Sequence, residues 1–149
     1  FETQKIEEEL ELKVDYILCA GFMKILSKKF LEYFQSEDHK IYKVVNIHPS
    51  LLPSFPGKNG YGDAFHYGVK VAGVTTHFVD EKIDNGPILY QESFKRLDSD
   101  DLESFTSRGL SVEYELYKKT IQVLQNNNFK VEKFKDRFFV KVVEPKHES

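Results

Sequence analysis

The sequence predicts an α/β fold: a parallel sheet with a β-α-β crossover, continued by antiparallel strands, a long C-terminal helix and a terminal hairpin. Two apolar runs, Val14 to Gly21 and Lys43 to His48, flank a short helical pattern, as strands of a sheet covered on both faces do. Two β-rich runs, Gly73 to Val79 and Pro87 to Lys95, are joined by a polar connection ending in Asn85-Gly86, the signature of an antiparallel turn. A long periodic stretch then runs from Ser99 to Asn126, before two short alternating runs.

Residues 1 to 13 carry Ile6 and Leu10 among many Glu and Lys, which suits a surface helix with a narrow apolar stripe. Ser27 caps a helix over Lys28 to Phe34, with Phe30, Leu31 and Phe34 on one side. Ser54 to Gly62 is rich in Pro and Gly and reads as loop, after which Asp63 caps a helix that Gly68 ends. Ser99 opens the longest helix, with Asp100, Asp101 and Glu103 complementing its dipole. Its apolar positions are Leu102, Phe105, Leu110, Val112, Leu116, Ile121 and Leu124, and Gly109 is a candidate kink. Phe129 to Phe134 and Arg137 to Val142 form a hairpin turning at Lys135-Asp136.

Bulk properties narrow the class. A chain of 149 residues, 40% of them hydrophobic, buries one core, so one domain is expected over 1–149, with 129–143 as its terminal hairpin. No apolar run reaches the roughly 18 residues of a membrane span, and Phe1 to Lys5 lacks a signal-peptide pattern. The lone Cys19 sits in an apolar run and reads as a small buried hydrophobe, which fits a reducing cytoplasm. A net charge of −3 with both signs interspersed gives no basic field for nucleic acid. Small-molecule chemistry is the expectation. His39, His48, His66, His77 and His147 show no zinc-type spacing, so no metal is expected.

The chemistry centres on Val44-Val45-Asn46-Ile47-His48-Pro49. Pro49 stops the strand, and Asn46 and His48 share a parity, so both project from one face at its end. In open α/β sheets the crevice outside the strand ends is where ligands bind. Such a strand-end position also predicts that His48 carries little core packing. Read from the residues alone, Asp84 before Asn-Gly is ordinary turn chemistry, and Asn46 reads equally as a buried amide. Thr75 and His77 alternate along their strand, one reading being simple inward-facing hydrogen bonding.

Asn46-Ile47-His48-Pro49-Ser50-Leu51-Leu52-Pro53-Ser54-Phe55-Pro56-Gly57, preceded by Ala20-Gly21-Phe22-Met23-Lys24-Ile25-Leu26 and followed by His77-Phe78-Val79 and Asp84-Asn85-Gly86-Pro87, resembles the phosphoribosylglycinamide formyltransferase family over residues 14 to 125. The resemblance implies a Rossmann-like formyltransferase fold, a cytoplasmic transferase of purine biosynthesis and one-carbon metabolism, and 10-formyltetrahydrofolate as the formyl donor. It implies that Asn46, His48 and Asp84 are catalytic. An amide and an imidazolium donate to the developing oxyanion, while a carboxylate supports the imidazole charge and takes the amine proton. The reduced folate is expected along Met23, Lys24, Ile25 and Leu26 and under Asp80, Glu81 and Ile83. Glycinamide ribonucleotide is expected at Asn46, Pro49 and Glu113, the last on a weaker motif because Lys118 follows Tyr117 where a Pro is usual. Thr75 and His77 are expected to support the site from behind.

Resembling enzymes begin with β-α units whose Gly-Ser-Asn type loop holds the acceptor phosphate at a helix N-terminus; nothing before Val14 carries such a loop, so an N-terminally truncated domain is expected. Missing strands leave a sheet edge to be covered, which is compatible with a homodimer. The alternatives are a formyltetrahydrofolate hydrolase and a non-catalytic folate-binding or dimerising remnant. Ser54-Phe55-Pro56-Gly57 favours the transferase over the hydrolase, and the Arg-Gly-Ala run of a methionyl-tRNA formyltransferase is not present.

Overall fold

The computed structural model describes residue 5 and residues 13–22 and 24–143. The expected stripe of Ile6 and Leu10 lies outside these residues, as does Met23. In chain order the elements are β1 (Ile17–Ala20), α1 (Lys28–Tyr33), β2 (Val44–His48), α2 (Gly60–Tyr67), β3 (Val71–Phe78), β4 (Ile88–Lys95), α3 (Leu102–Gln125), β5 (Phe129–Phe134) and β6 (Arg137–Val142). The main sheet has four strands in the order β1-β2-β3-β4, and β5 and β6 pair separately. β1 and β2 are parallel, joined through α1 as the β-α-β reading expects, whereas β3 and β4 continue the sheet antiparallel.

Alternation along β2 divides its residues between two environments. Val45 and Ile47 face one side, where Ile47 joins Val74, Phe94, Phe105 and Leu116, and Val45 joins Phe78, Leu89 and Leu124. The long helix α3 supplies Phe105, Leu116 and Leu124, and so covers that face. Val44 faces the other side and packs with Leu31 and Phe34 of the α1 turn. Ser27 caps α1 as expected, its hydroxyl accepting from the Phe30 N–H at 3.2 Å.

Three local expectations are corrected. α2 begins at Gly60, so Asp63 lies in its first turn instead of capping it; Gly68 ends the helix in the left-handed region, as expected. Gly60 is a poor helix former, but a Cβ there would stand 2.6 Å from the Pro49 carbonyl oxygen, so packing requires it. The cap of α3 is Asp101, not Ser99: its carboxylate accepts from the Ser104 N–H at 2.8 Å while Ser104 Oγ accepts from the Asp101 N–H at 3.1 Å. Gly109 does not break α3, which runs through it; a Cβ there would meet the Tyr61 ring at 2.5 Å, so the glycine makes room for an aromatic side chain.

The terminal hairpin lays Phe129 and Val140 against the Phe78 and Leu89 cluster. Cys19 is half-buried on β1, and burial pushes its thiol pKa up, consistent with an inert side chain. No helix among the described residues is long and apolar enough to cross a membrane.

Candidate active site

Register sets which residues meet at the site. Antiparallel pairing places Asn46 opposite His77 and His48 opposite Thr75, and residues directly opposed across such a pair share a face. All four therefore project from the side of the sheet away from α3, beyond the end of the α1 core. None is solvated: Asn46 is 5% exposed, His77 2%, and His48 and Thr75 are fully buried. The expectation that His48 packs lightly is thus overturned. A chain stop at Pro49 ends the ladder, but the 50–57 segment folds back over the ring.

Fixed hydrogen bonds determine the protons. His48 Nε2 lies 2.9 Å from the Phe55 carbonyl, which only accepts, so Nε2 carries the hydrogen. The other nitrogen, Nδ1, faces Asp84 Oδ1 at 3.4 Å and has no hydrogen-bond partner. His77 repeats the pattern, with Nδ1 donating to the Phe78 carbonyl at 2.9 Å and Nε2 unpartnered 3.9 Å from the same carboxylate oxygen. Asp84 Oδ2 accepts from the Gly57 N–H at 3.0 Å. One carboxylate oxygen is therefore anchored, and the other faces two ring nitrogens that need a proton to bond it. Burial holds the His77 pKa below the ordinary imidazole value of 6.5, against the Phe78 carbonyl and Asp84, which raise it.

Thr75 braces the returning segment. Its hydroxyl donates to the Ser50 carbonyl at 2.7 Å and accepts from the Leu52 N–H at 3.1 Å. Gln91, its cross-strand neighbour on β4, donates to the Leu52 carbonyl at 2.8 Å and to Thr75 Oγ1 at 3.0 Å. Sequence reasoning missed Gln91, because only the strand register places it beside Thr75.

A cavity of about 30 Å³ opens beside Asp84, lined among others by Phe22, Asn46, His77 and Val79. Asn46 donates to the Phe22 carbonyl at 3.3 Å, and its Oδ1 is buried without a partner. Lys24, Ile25, Leu26, Asp80 and Ile83, the expected folate neighbours, line the same cavity, and Ile25 and Ile83 are largely exposed. Glu81 does not join them. Its carboxylate accepts from the Tyr42 hydroxyl at 3.1 Å, on a separate groove beside the terminal hairpin. Lys82 also lines the cavity, with Phe22 and Val79, two residues quoted above only for the family resemblance. His48 lies behind Asp84 and does not line the cavity.

Of the residues expected at the acceptor, Pro49 is half-buried under Gly60 of α2. Glu113 projects from α3 one turn after Gly109, beside the buried Tyr61 hydroxyl and within electrostatic reach of His48. Burial raises the Glu113 pKa. The Tyr61 hydroxyl is buried without a hydrogen-bond partner despite that proximity, so the pair is close without being locked. Tyr61 was also unmarked in the sequence. Among the described residues no group of three or more His, Cys, Asp and Glu is arranged to hold a metal ion.

The family described as Formyl transferase matches residues 1–121, and the chain belongs to it. It is similar to a phosphoribosylglycinamide formyltransferase of Bacillus subtilis, with 40% identity over 131 residues that cover 87% of this chain and 64% of the relative. The crystal structure of the enzyme of that name from Anaplasma phagocytophilum superimposes with a TM-score of 0.82 at 35% identity, covering 98% of this chain and 65% of that one. A mitochondrial formyltetrahydrofolate deformylase 2 of Arabidopsis thaliana is 40% identical over 124 residues, or 81% of this chain and 36% of that protein. The chain thus spans about two thirds or less of these relatives' lengths.

Proposed function

We propose that the protein transfers a formyl group from 10-formyltetrahydrofolate to the amine of glycinamide ribonucleotide. The observation that carries this reading is the buried Asp84 carboxylate facing two bare imidazole nitrogens beside a small cavity. The donor's flat ring suits the apolar rim of Ile25, Leu26 and Ile83, with Lys24 and Asp80 as polar contacts, and its formyl group suits the cavity.

In the reaction the acceptor amine bonds to the formyl carbon while that carbon's bond to the folate nitrogen breaks, and one proton passes from the amine to the departing nitrogen. Asn46 lines the cavity and supplies the amide that holds the formyl oxygen as it gains charge. Asp84 takes the amine proton, directly or through one water, and returns it to the leaving nitrogen. His48 shares that proton through Nδ1, so the pair can hold it without leaving an uncompensated charge in the interior. Its Nε2 is committed to the Phe55 carbonyl, so His48 reaches the formyl oxygen only if that loop contact is exchanged. Glu113 offers an acceptor oxygen for the hydroxyls of a ribose, and Pro49 packs beneath the acceptor. Thr75 and Gln91 hold the 50–52 segment that covers His48.

The test mixes the protein with 10-formyltetrahydrofolate, with and without glycinamide ribonucleotide, and follows loss of the donor. Amine-dependent loss supports the transferase. Donor loss without amine points to hydrolysis, the activity named for the Arabidopsis relative, and binding without turnover to a folate-binding remnant. Sedimentation of the same sample tests the homodimer, and fractionation tests the cytoplasmic location.

A further inference from the structure

The loop that carries Asp84 has an unusual anchorage. Both its ends are tied to the sheet: the Val79 N–H donates to the Val44 carbonyl at 2.8 Å, and the Phe78 N–H donates to the Pro87 carbonyl at 2.8 Å. Near its start, Asp80 accepts from the Lys82 N–H at 2.7 Å and from the Asn85 side-chain amide at 3.1 Å. Gly86 packs so closely that a Cβ would collide with the Phe78 carbonyl. Between these points Asp84 itself adopts φ 52, a left-handed conformation that Asp takes up more readily than most non-glycine residues. The far side of this loop, away from the cavity, meets the terminal hairpin. Arg137 Nη2 donates to the Asn85 carbonyl at 2.9 Å and reaches the Gly86 carbonyl at 3.5 Å. The hairpin is itself seated by Phe129 and Val140 on the core and by Lys40 Nζ, which donates to the Val131 carbonyl at 3.1 Å.

We propose that Arg137 is a positioning residue for Asp84: by gripping the carbonyls that follow Asp84, the terminal hairpin holds the carboxylate against His48 and His77. The hairpin lies beyond residues 1–121, the part matched by the family, so the brace is supplied from outside that segment. A guanidinium suits the task because its planar fork presents several donors at fixed angles to neighbouring carbonyls, whereas an ammonium is a point donor. The role rests on the reading of Asp84 as the proton-handling group, but its geometry can be tested without turnover.

The experiment records amide hydrogen exchange over residues 82–86, together with the ring resonances of His48 and His77 at fixed pH, in Arg137→Ala, Arg137→Lys and Arg137→Met. Lys141→Ala, which removes an exposed pair with Glu132 elsewhere on the hairpin, is the control. Losing one hydrogen bond of ordinary net strength should speed exchange at 82–86 by about three- to tenfold in Arg137→Ala. Both histidine rings should shift as the carboxylate moves, Lys should restore part of each effect, and the control should leave both at wild type. If Ala releases the hairpin altogether, Met decides, since it keeps an apolar stem without the donors: an Ala-like Met variant supports the brace. Exchange within about twofold of wild type with unmoved rings, in a folded Ala or Met variant, overturns it. In the formyl-transfer assay, Arg137→Ala should slow the reaction in the wild-type background and not in Asp84→Asn. If no turnover occurs in any variant, the transferase reading fails while the exchange and ring data still decide the brace.

Discussion

The two faces of β2 and β3 are built from the same backbone and do opposite things. On one, Val45, Ile47, Val74, Thr76 and Phe78 lie under α3, and the strands' own polar side chain there, Thr76, is paired: Thr120 donates to the Leu116 carbonyl at 2.8 Å, so Thr76 donates to Thr120 at 2.9 Å. On the other, Asn46, His48 and His77 are buried to the same degree, yet each keeps one polar atom without a partner. An unpaired buried polar atom costs about 1–3 kcal/mol. Around the Asp84 carboxylate these atoms are the places where a ligand, a water or a proton can bond. The apolar face holds the sheet together; the polar face is held in place by it.

The largest expected effect breaks the polar face. His48→Gln removes the ring proposed to share the Asp84 proton and should slow formyl transfer by about 10²–10⁴-fold. Because His48 is fully buried, Gln is the informative choice over Ala, and circular dichroism of the variant must show the native fold. Asp84→Asn should cost about 10²-fold. Asn tolerates the left-handed backbone that Asp84 adopts, so melting should change little, and a large loss of stability would mean that the carboxylate is structural. The apolar face should respond the other way: Leu116→Ala, at 3% exposure, should cost about 2–5 kcal/mol in urea unfolding with the transfer rate per folded molecule preserved.

Smaller effects sharpen the contrast through pH. Burial lowers the His77 pKa from 6.5, so the folded protein binds fewer protons than the unfolded chain below that pH. Unfolding free energy should therefore fall as pH drops below 6.5, and His77→Asn should flatten that slope in thermal melts taken across the range. Glu113 gives the opposite sign. Its pKa is raised by burial, so stability falls as pH rises through the carboxylate range, and Glu113→Gln should remove the decline.

The apolar face was legible because alternation and β-branched runs are local signals: β2 and the β3-β4 pair fall close to their expected limits. The polar face was legible only in part. Parity placed Asn46 and His48 together, but the pairing of Asn46 with His77 and His48 with Thr75 depends on register, which no local pattern states. Asp84 looked like a turn residue until the resemblance singled it out. Its position comes from the Gly57 N–H and the Arg137 guanidinium, donors distant in sequence that only tertiary packing brings near. The same limit explains α2, whose start at Gly60 contradicts local propensity and follows from contact with Pro49. The full burial of His48 was hidden for the same reason, since the loop that encloses its ring folds back from beyond Pro49.

The most direct test of a shared proton between ring and carboxylate is a double-mutant cycle on formyl transfer with His48→Gln and Asp84→Asn. If the two act as one unit around the cavity, the double variant is no slower than the slower single variant. Independent losses that multiply would show that ring and acid work separately, and would contradict the account.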